Sequence, residues 1–153
     1  MSRQKVEHGS FVIDRALEAA PAVVFRAWAE EAAKRRWFAD SADTMATDHY
    51  SLDFREGGRE LWRGLMQGGM RVENDTIYRD IVRDERIVLC YDMIVNGARM
   101  SSSLLTVEFF AKGGGLLLKL TEQAVFFGEA DGLKLREAGW RELLDALEKT
   151  LRH

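Results

Sequence analysis

The sequence predicts an α+β domain in which a curved antiparallel sheet wraps around a long C-terminal α-helix. Three observations carry this. Six strand-like segments between Tyr50 and Phe126 are joined by short turns, and connections that short join antiparallel neighbours. The residues from Asp131 to Leu151 read as one amphipathic helix. One face of the sheet must be covered, and that helix is the only element large enough.

The elements follow in order. Residues 1–10 are expected to form a flexible N-terminal arm. Phe11 to Leu17 reads as a first strand. Pro21, the single proline, suits a first helical turn because its missing N–H would lack a helical partner there. Val24, Phe25 and Trp28 recur after it at helical spacing. A second short helix runs from about Glu30 to Trp37-Phe38. Tyr50, Leu52 and Phe54 alternate with polar residues as a strand, and Gly57-Gly58 turns it into Glu60–Met66. Gln67-Gly68-Gly69, Asp84-Glu85, Asn96-Gly97 and Lys112–Gly115 separate four more strands. Asn96-Gly97 is the clearest turn, since both residues tolerate the positive φ of a type I′ hairpin.

In the last helix Leu133, Trp140, Leu144, Leu147 and Leu151 hold one stripe, with Leu143 beside it. Arg136, Glu137, Arg141, Glu142, Asp145, Glu148 and Lys149 are assigned to its polar side. Gly139 costs roughly 1 kcal/mol against alanine in an exposed helix. A close approach of the helix backbone to the sheet is the expected reason for it.

The chain has 153 residues and fits one domain, 1–153. Its net charge of −3 weighs against a nucleic-acid partner. The basic run Lys34-Arg35-Arg36 lies among Glu30, Glu31 and Asp40 and reads as a solvated helix face. Cys90 is the single cysteine, so no intramolecular disulfide forms. Within Ile87–Tyr91 it reads as a packed residue, not a nucleophile. No signal-peptide core and no apolar run of membrane-spanning length occurs, so a cytoplasmic location is expected. His8, His49 and His153 lack partners at metal spacing. The glycine pairs lack the lysine and following helix of a phosphate loop. No metal and no cofactor is expected.

Three stretches carry a family resemblance: Ala20–Trp28, Asp53–Gly58 and Gly139–Leu147, with Leu120–Phe127 in support. In this order they resemble the SRPBCC superfamily, which holds START lipid-transfer domains, the birch-pollen allergens and polyketide cyclases. The nearest branch resembles the activator of the heat-shock-protein-ninety ATPase and its bacterial homologues. Trp37-Phe38-Ala39-Asp40 departs from that branch, where Trp-Trp or Trp-Phe-Gly-Pro is common. The resemblance implies a helix-grip fold, with a deep cavity between the curved sheet and the final helix. It does not imply one activity, because fold and function separate widely in such groups.

Strand alternation says which side chains face that space. With Glu108 toward water, Ser103, Leu105, Val107 and Phe109 point inward. With Lys119 toward water, Leu116, Leu118, Leu120 and Glu122 point inward. An inward carboxylate must find a partner, shift its pKa upward or meet water. Glu122 is therefore a candidate polar handle for a ligand or a general base; the alternative is a strand end that reaches solvent. Trp37, Phe38, Trp62, Tyr78, Tyr91 and Trp140 are candidates to line the same space, a composition that suits a small hydrophobic molecule.

Three functions fit these residues. The first is a non-enzymatic binding domain for a lipid-like or aromatic molecule. The second is an enzyme of the cyclase or hydrolase kind, with Glu122 as acid/base beside Tyr78 or Tyr91. The third, implied by the resemblance, is a co-chaperone with a chaperone partner. A homodimer is also expected, two-fold self-association being the commonest oligomer, but nothing in the sequence marks its surface.

Overall fold

The computed structural model describes residues 3–41, 45–128 and 132–152. Strand β1 spans Val6–Leu17, followed by helix α1, Pro21–Ala29, and the short helix α2, Glu31–Lys34. A π-helical turn, Arg35–Ala39, continues α2. Strands β2 (Met45–Leu52), β3 (Arg59–Met66), β4 (Met70–Val82), β5 (Arg86–Val95), β6 (Ala98–Lys112) and β7 (Gly115–Phe127) come next, then helix α3, Gly132–Thr150. Asp131, expected to open α3, lies outside the described residues.

The seven strands form one antiparallel sheet in the order β1-β7-β6-β5-β4-β3-β2. Strands β2 to β7 are thus a plain meander, and only β1 crosses to the far edge, where it pairs with β7. This is the expected helix-grip. All the helices lie on one face. Phe25 of α1 meets Phe109 of β6 edge-on at 5.6 Å, and α3 lies against β1, β7 and the π turn. The main core between them includes Ile13, Trp28, Leu118, Leu120, Leu144 and Leu147, each at most 1% exposed.

Four expectations need correction. Residues 6–10 are no arm: Val6 pairs with Phe127 and Ser10 with Gln123, so β1 starts five residues early. Backbone pairing needs no apolar pattern, and His8, Gly9 and Ser10 concealed it. The strand expected to include Phe54 ends at Leu52. Asp53–Gly58 is a loop tied to β4, with Gly57 N–H donating to Tyr78 O and Tyr78 N–H to Gly58 O. Phe54 packs from this loop onto Phe25 and Tyr78. Third, Gly139 does not mark a close approach, since a Cβ there would meet nothing within 4 Å. The close approach is at Gly9, where a Cβ would stand 2.6 Å from Leu133 of α3. Fourth, Arg136 and Lys34 leave the surface faces assigned to them, as described below.

The hairpin Asn96-Gly97 forms as expected, with φ of 49° and 83°. Glycine position therefore decides the sign of substitution. Gly139→Ala should raise stability by about 0.5–1 kcal/mol, since it gains helix propensity at no steric cost. Gly58→Ala should lower it by about 2–3 kcal/mol, because the new methyl would run into the Asp53 carbonyl. Urea unfolding of both variants checks this; an unchanged or earlier midpoint for Gly139→Ala would contradict it.

Candidate functional site

The concave face of the sheet carries a polar row where an apolar one is expected. Register alone lines up Glu60, Thr76, Tyr91 and Ser103 on four successive strands. All four are buried. Each end of the row joins a buried carboxylate paired with a cation from a helix.

At one end Glu122 of β7 is 0% exposed. Arg136 of α3 donates to it at 2.9 Å. Ser103 donates at 2.7 Å and Trp140 at 2.9 Å. The Tyr91 hydroxyl donates to the same carboxylate at 2.8 Å and accepts from Arg136 at 2.9 Å. A second Arg136 nitrogen donates to Ser101 at 2.6 Å and lies 3.4 Å from the Met93 sulfur. The guanidinium also sits over the rings of Tyr91 and Phe126, at 5.3 and 5.1 Å. Glu122 therefore does not reach solvent, and four side chains supply its donors. As a base it would first have to shed one of them.

At the other end Lys34, the last residue of α2, donates to Glu60 at 2.7 Å. Both are 2% exposed. Tyr78 and Tyr50 each donate to Glu60 at 2.6 Å. The Lys34 ammonium lies 4.5 Å from the Phe38 ring centre and within 6 Å of those of Trp28, Trp37 and Tyr78, a set of cation–π contacts. Of the basic run, Arg36 is exposed, Arg35 is partly exposed and pairs with Asp40, and Lys34 turns into the core. Burial pushes the Lys34 amine below its ordinary value, against the opposing pull of Glu60.

Aromatic rings fill the space between the two pairs. Trp28 stacks on Trp140 at 6.1 Å and meets Trp37 edge-on at 4.7 Å. Phe38 touches Trp37, Tyr50 and Trp140. The implied cavity is occupied here by the protein's own side chains. Among the described residues two buried polar atoms have no partner, Trp28 Nε1 and Asn74 Oδ1. Asn74 lies on β4 opposite Met93 of β5, and both are partly exposed, as is Phe38. These three edge the polar row where it nears the surface.

Of the ligand candidates, Tyr91, Ser103, Glu122 and Trp140 meet in one cluster, and Trp37, Phe38 and Tyr78 surround the Lys34–Glu60 pair. Leu105 and Leu118 are core residues, at 1% and 0% exposure. Trp62 stands apart, in a smaller cluster with Ala39, Tyr50 and Val72, its indole donating to Thr47. Lys34, Glu60 and Arg136 escaped the sequence reading. For Glu60 the signal was present, since it occupies the inward phase of β3 two residues before Trp62. His8 and His49 join no metal-ligating group among the described residues, and His153 lies outside them.

A meander sheet gripping one long helix, with the polar cluster between them, places the protein in the helix-grip, SRPBCC-type class. Residues 18–152 match the family described as "Activator of Hsp90 ATPase homolog 1-like protein", and the chain belongs to that family. An uncharacterised protein from Rhizobium leguminosarum is 41% identical, covers 99% of each chain and has a TM-score of 0.93. The Mll3558 protein of Rhizobium loti is 42% identical over 95% of this chain and 98% of its own, with a TM-score of 0.87. CalU16 from Micromonospora echinospora, 19% identical over 94% of this chain and 82% of its own, shares the fold with a TM-score of 0.64. No curated protein matches the chain in sequence.

Two predictions follow from the burial of these groups. Glu122→Gln should cost about 3–5 kcal/mol by leaving Arg136 buried and unpaired. In a cycle with Arg136→Met the double variant should lose less than the sum of the singles, measured by denaturant unfolding; strict additivity would mean the pair is not coupled. The second concerns all three tyrosines of the chain. Burial, then the charge of Glu60, raises Tyr50 and Tyr78, and burial with the charge of Glu122 raises Tyr91. Unfolded tyrosine ionises near pH 10, so the unfolded chain sheds these protons first. The tyrosine contribution to stability is full below about pH 10 and is lost as pH climbs above it. Lys34 acts with the opposite sign, but only below about pH 10.4, where the unfolded amine is still charged. Phenolate absorbance should therefore appear together with alkaline unfolding; ionisation near pH 10 in the folded protein would contradict the burial argument.

Proposed function

We propose that the protein is a binding domain for a small neutral molecule with an apolar or aromatic body and one hydrogen-bond donor. The observation that carries this is the buried row Glu60, Thr76, Tyr91 and Ser103, with the unpartnered Asn74 Oδ1 beside it. Replacing a buried ion pair by apolar packing of the same volume is often neutral or stabilising, so stability alone is a weak reason for two of them on one sheet face. Each carboxylate is matched by a cation from a helix, which leaves no net charge for an ionic ligand to meet. Asn74 Oδ1 offers an acceptor, and Met93 offers apolar contact where the row nears the surface.

The ligand would lie between the π turn and β4–β5, displacing Phe38 from its ring contacts. A π turn fits this role, since such turns are frequent at functional sites. Glu122 acts in this reading as the structural partner of Arg136, with no proton transfer. The activator named in the family's description supports a chaperone partner by kinship alone.

Uptake of the fluorescent probe N-phenyl-1-naphthylamine tests the reading. The parent protein should bind it with quenching of tryptophan fluorescence. Met93→Trp should weaken binding at least about tenfold by filling the mouth, and Phe38→Ala should strengthen it. Equal binding by all three proteins would sink the proposal.

A further inference from the structure

Among the described residues nothing covers the opposite, outer face of the sheet, since their helices pack on the concave side. An antiparallel sheet with one solvated face ordinarily alternates apolar inward and polar outward. Here the middle of the outer face is apolar or uncharged. Register places Val12, Thr121, Thr106 and Val88 in one outward row across β1, β7, β6 and β5. The next row is Ser10, Gln123, Leu104 and Cys90. Val12 is 52% exposed and Leu104 37%. A shallow depression on the same face is lined by His8, Ser10, Ser102, Gln123 and Val125.

On the other side of the Val12 row runs a charged one: Asp14, Lys119, Glu108 and Arg86. Its signs alternate −, +, −, +. Such a row is complementary to its own reverse. A two-fold axis lying in the face, along the strands between β7 and β6, sets Asp14 over Arg86 and Lys119 over Glu108 of a second copy. The same rotation sets Leu104 over Gln123 of that copy, at the depression. A centre free of charged side chains, with a charged row along its border, matches the depletion of charge at the core of protein–protein interfaces.

We infer that this outer face is a self-association surface, on which a second copy of the chain docks about that two-fold axis. At about 4.8 Å between strands and 6.7 Å between rows on one face, three rows over four strands cover about 400 Å². The flanking rows bring this toward roughly 800 Å² per copy, the size of a standard interface. The inference is independent of any ligand, because the two faces of the sheet share no side chains.

Sedimentation equilibrium of the full chain across micromolar concentrations is the test, with Leu104→Arg and Val12→Arg as variants. Both positions are exposed, and circular dichroism checks that the variants fold. A dimer should form, and each arginine should weaken it at least about tenfold. Ser10→Cys adds a geometric check. Within one chain residues 10 and 90 lie three strands apart, about 14 Å, but the two-fold axis brings residue 10 over Cys90 of the second copy. A short bis-maleimide should therefore cross-link Ser10→Cys into covalent dimers and leave the parent, with Cys90 alone, without a cross-link. A chain that stays monomeric at every concentration overturns the inference. So does a dimer indifferent to both arginines and not cross-linked through residue 10, which would use another surface.

Discussion

Glu122 has no access to water, and a carboxylate in that position must be matched from within the protein or lose its charge. The match comes from the far side of the core. Arg136 and Trp140, four residues apart on α3, reach down to it, while Tyr91 and Ser103 reach across from β5 and β6. The contact between helix and sheet is therefore fixed in rotation and in register as well as by apolar area. Leucines sliding past one another lose little, whereas a guanidinium displaced by one helical turn leaves two charges unpaired. Gly9 complements this by letting the first turn of α3 settle onto β1.

The Lys34–Glu60 pair does the same for the other helical segment. Lys34 ends α2, and the chain then widens into the π turn that carries Trp37, Phe38 and Ala39. Holding the lysine fixes where that turn starts. The turn in turn brings Phe38 against Tyr50 and Trp140, so the mouth of the polar row is shaped by an ion pair behind it. The two pairs, with Thr76 between them, make a strip of hydrogen-bonding groups along the floor of an otherwise apolar grip. A binding domain needs that combination of an apolar bed and a few fixed polar groups.

Much of this was legible in the chain. The turns at Gly68-Gly69 and Asn96-Gly97 set the meander. Alternation around Lys119 and Glu108 put Ser103, Leu105, Leu118 and Glu122 on the buried face, where they are. The amphipathic stripe of α3 put Trp140 inside. What escaped shares one cause. Arg136 and Lys34 carry charges on helices, and a helical charge reads as solvated unless its partner is known. The partners, Glu122 and Glu60, lie on strands 14 and 26 residues away, and no local pattern links them. The early start of β1 escaped for a related reason: its first residues are held by backbone bonds to β7, which any side chain permits.

The sequence by itself thus determined the order of the elements and the faces that β6 and β7 bury, because turn chemistry and the two hydrophobic periods are local properties. Only the tertiary structure decided which buried charges meet, that aromatic rings fill the space between sheet and helix, and which rows adjoin on the outer face. Those depend on distances between residues far apart in the chain, set once the sheet has closed around α3.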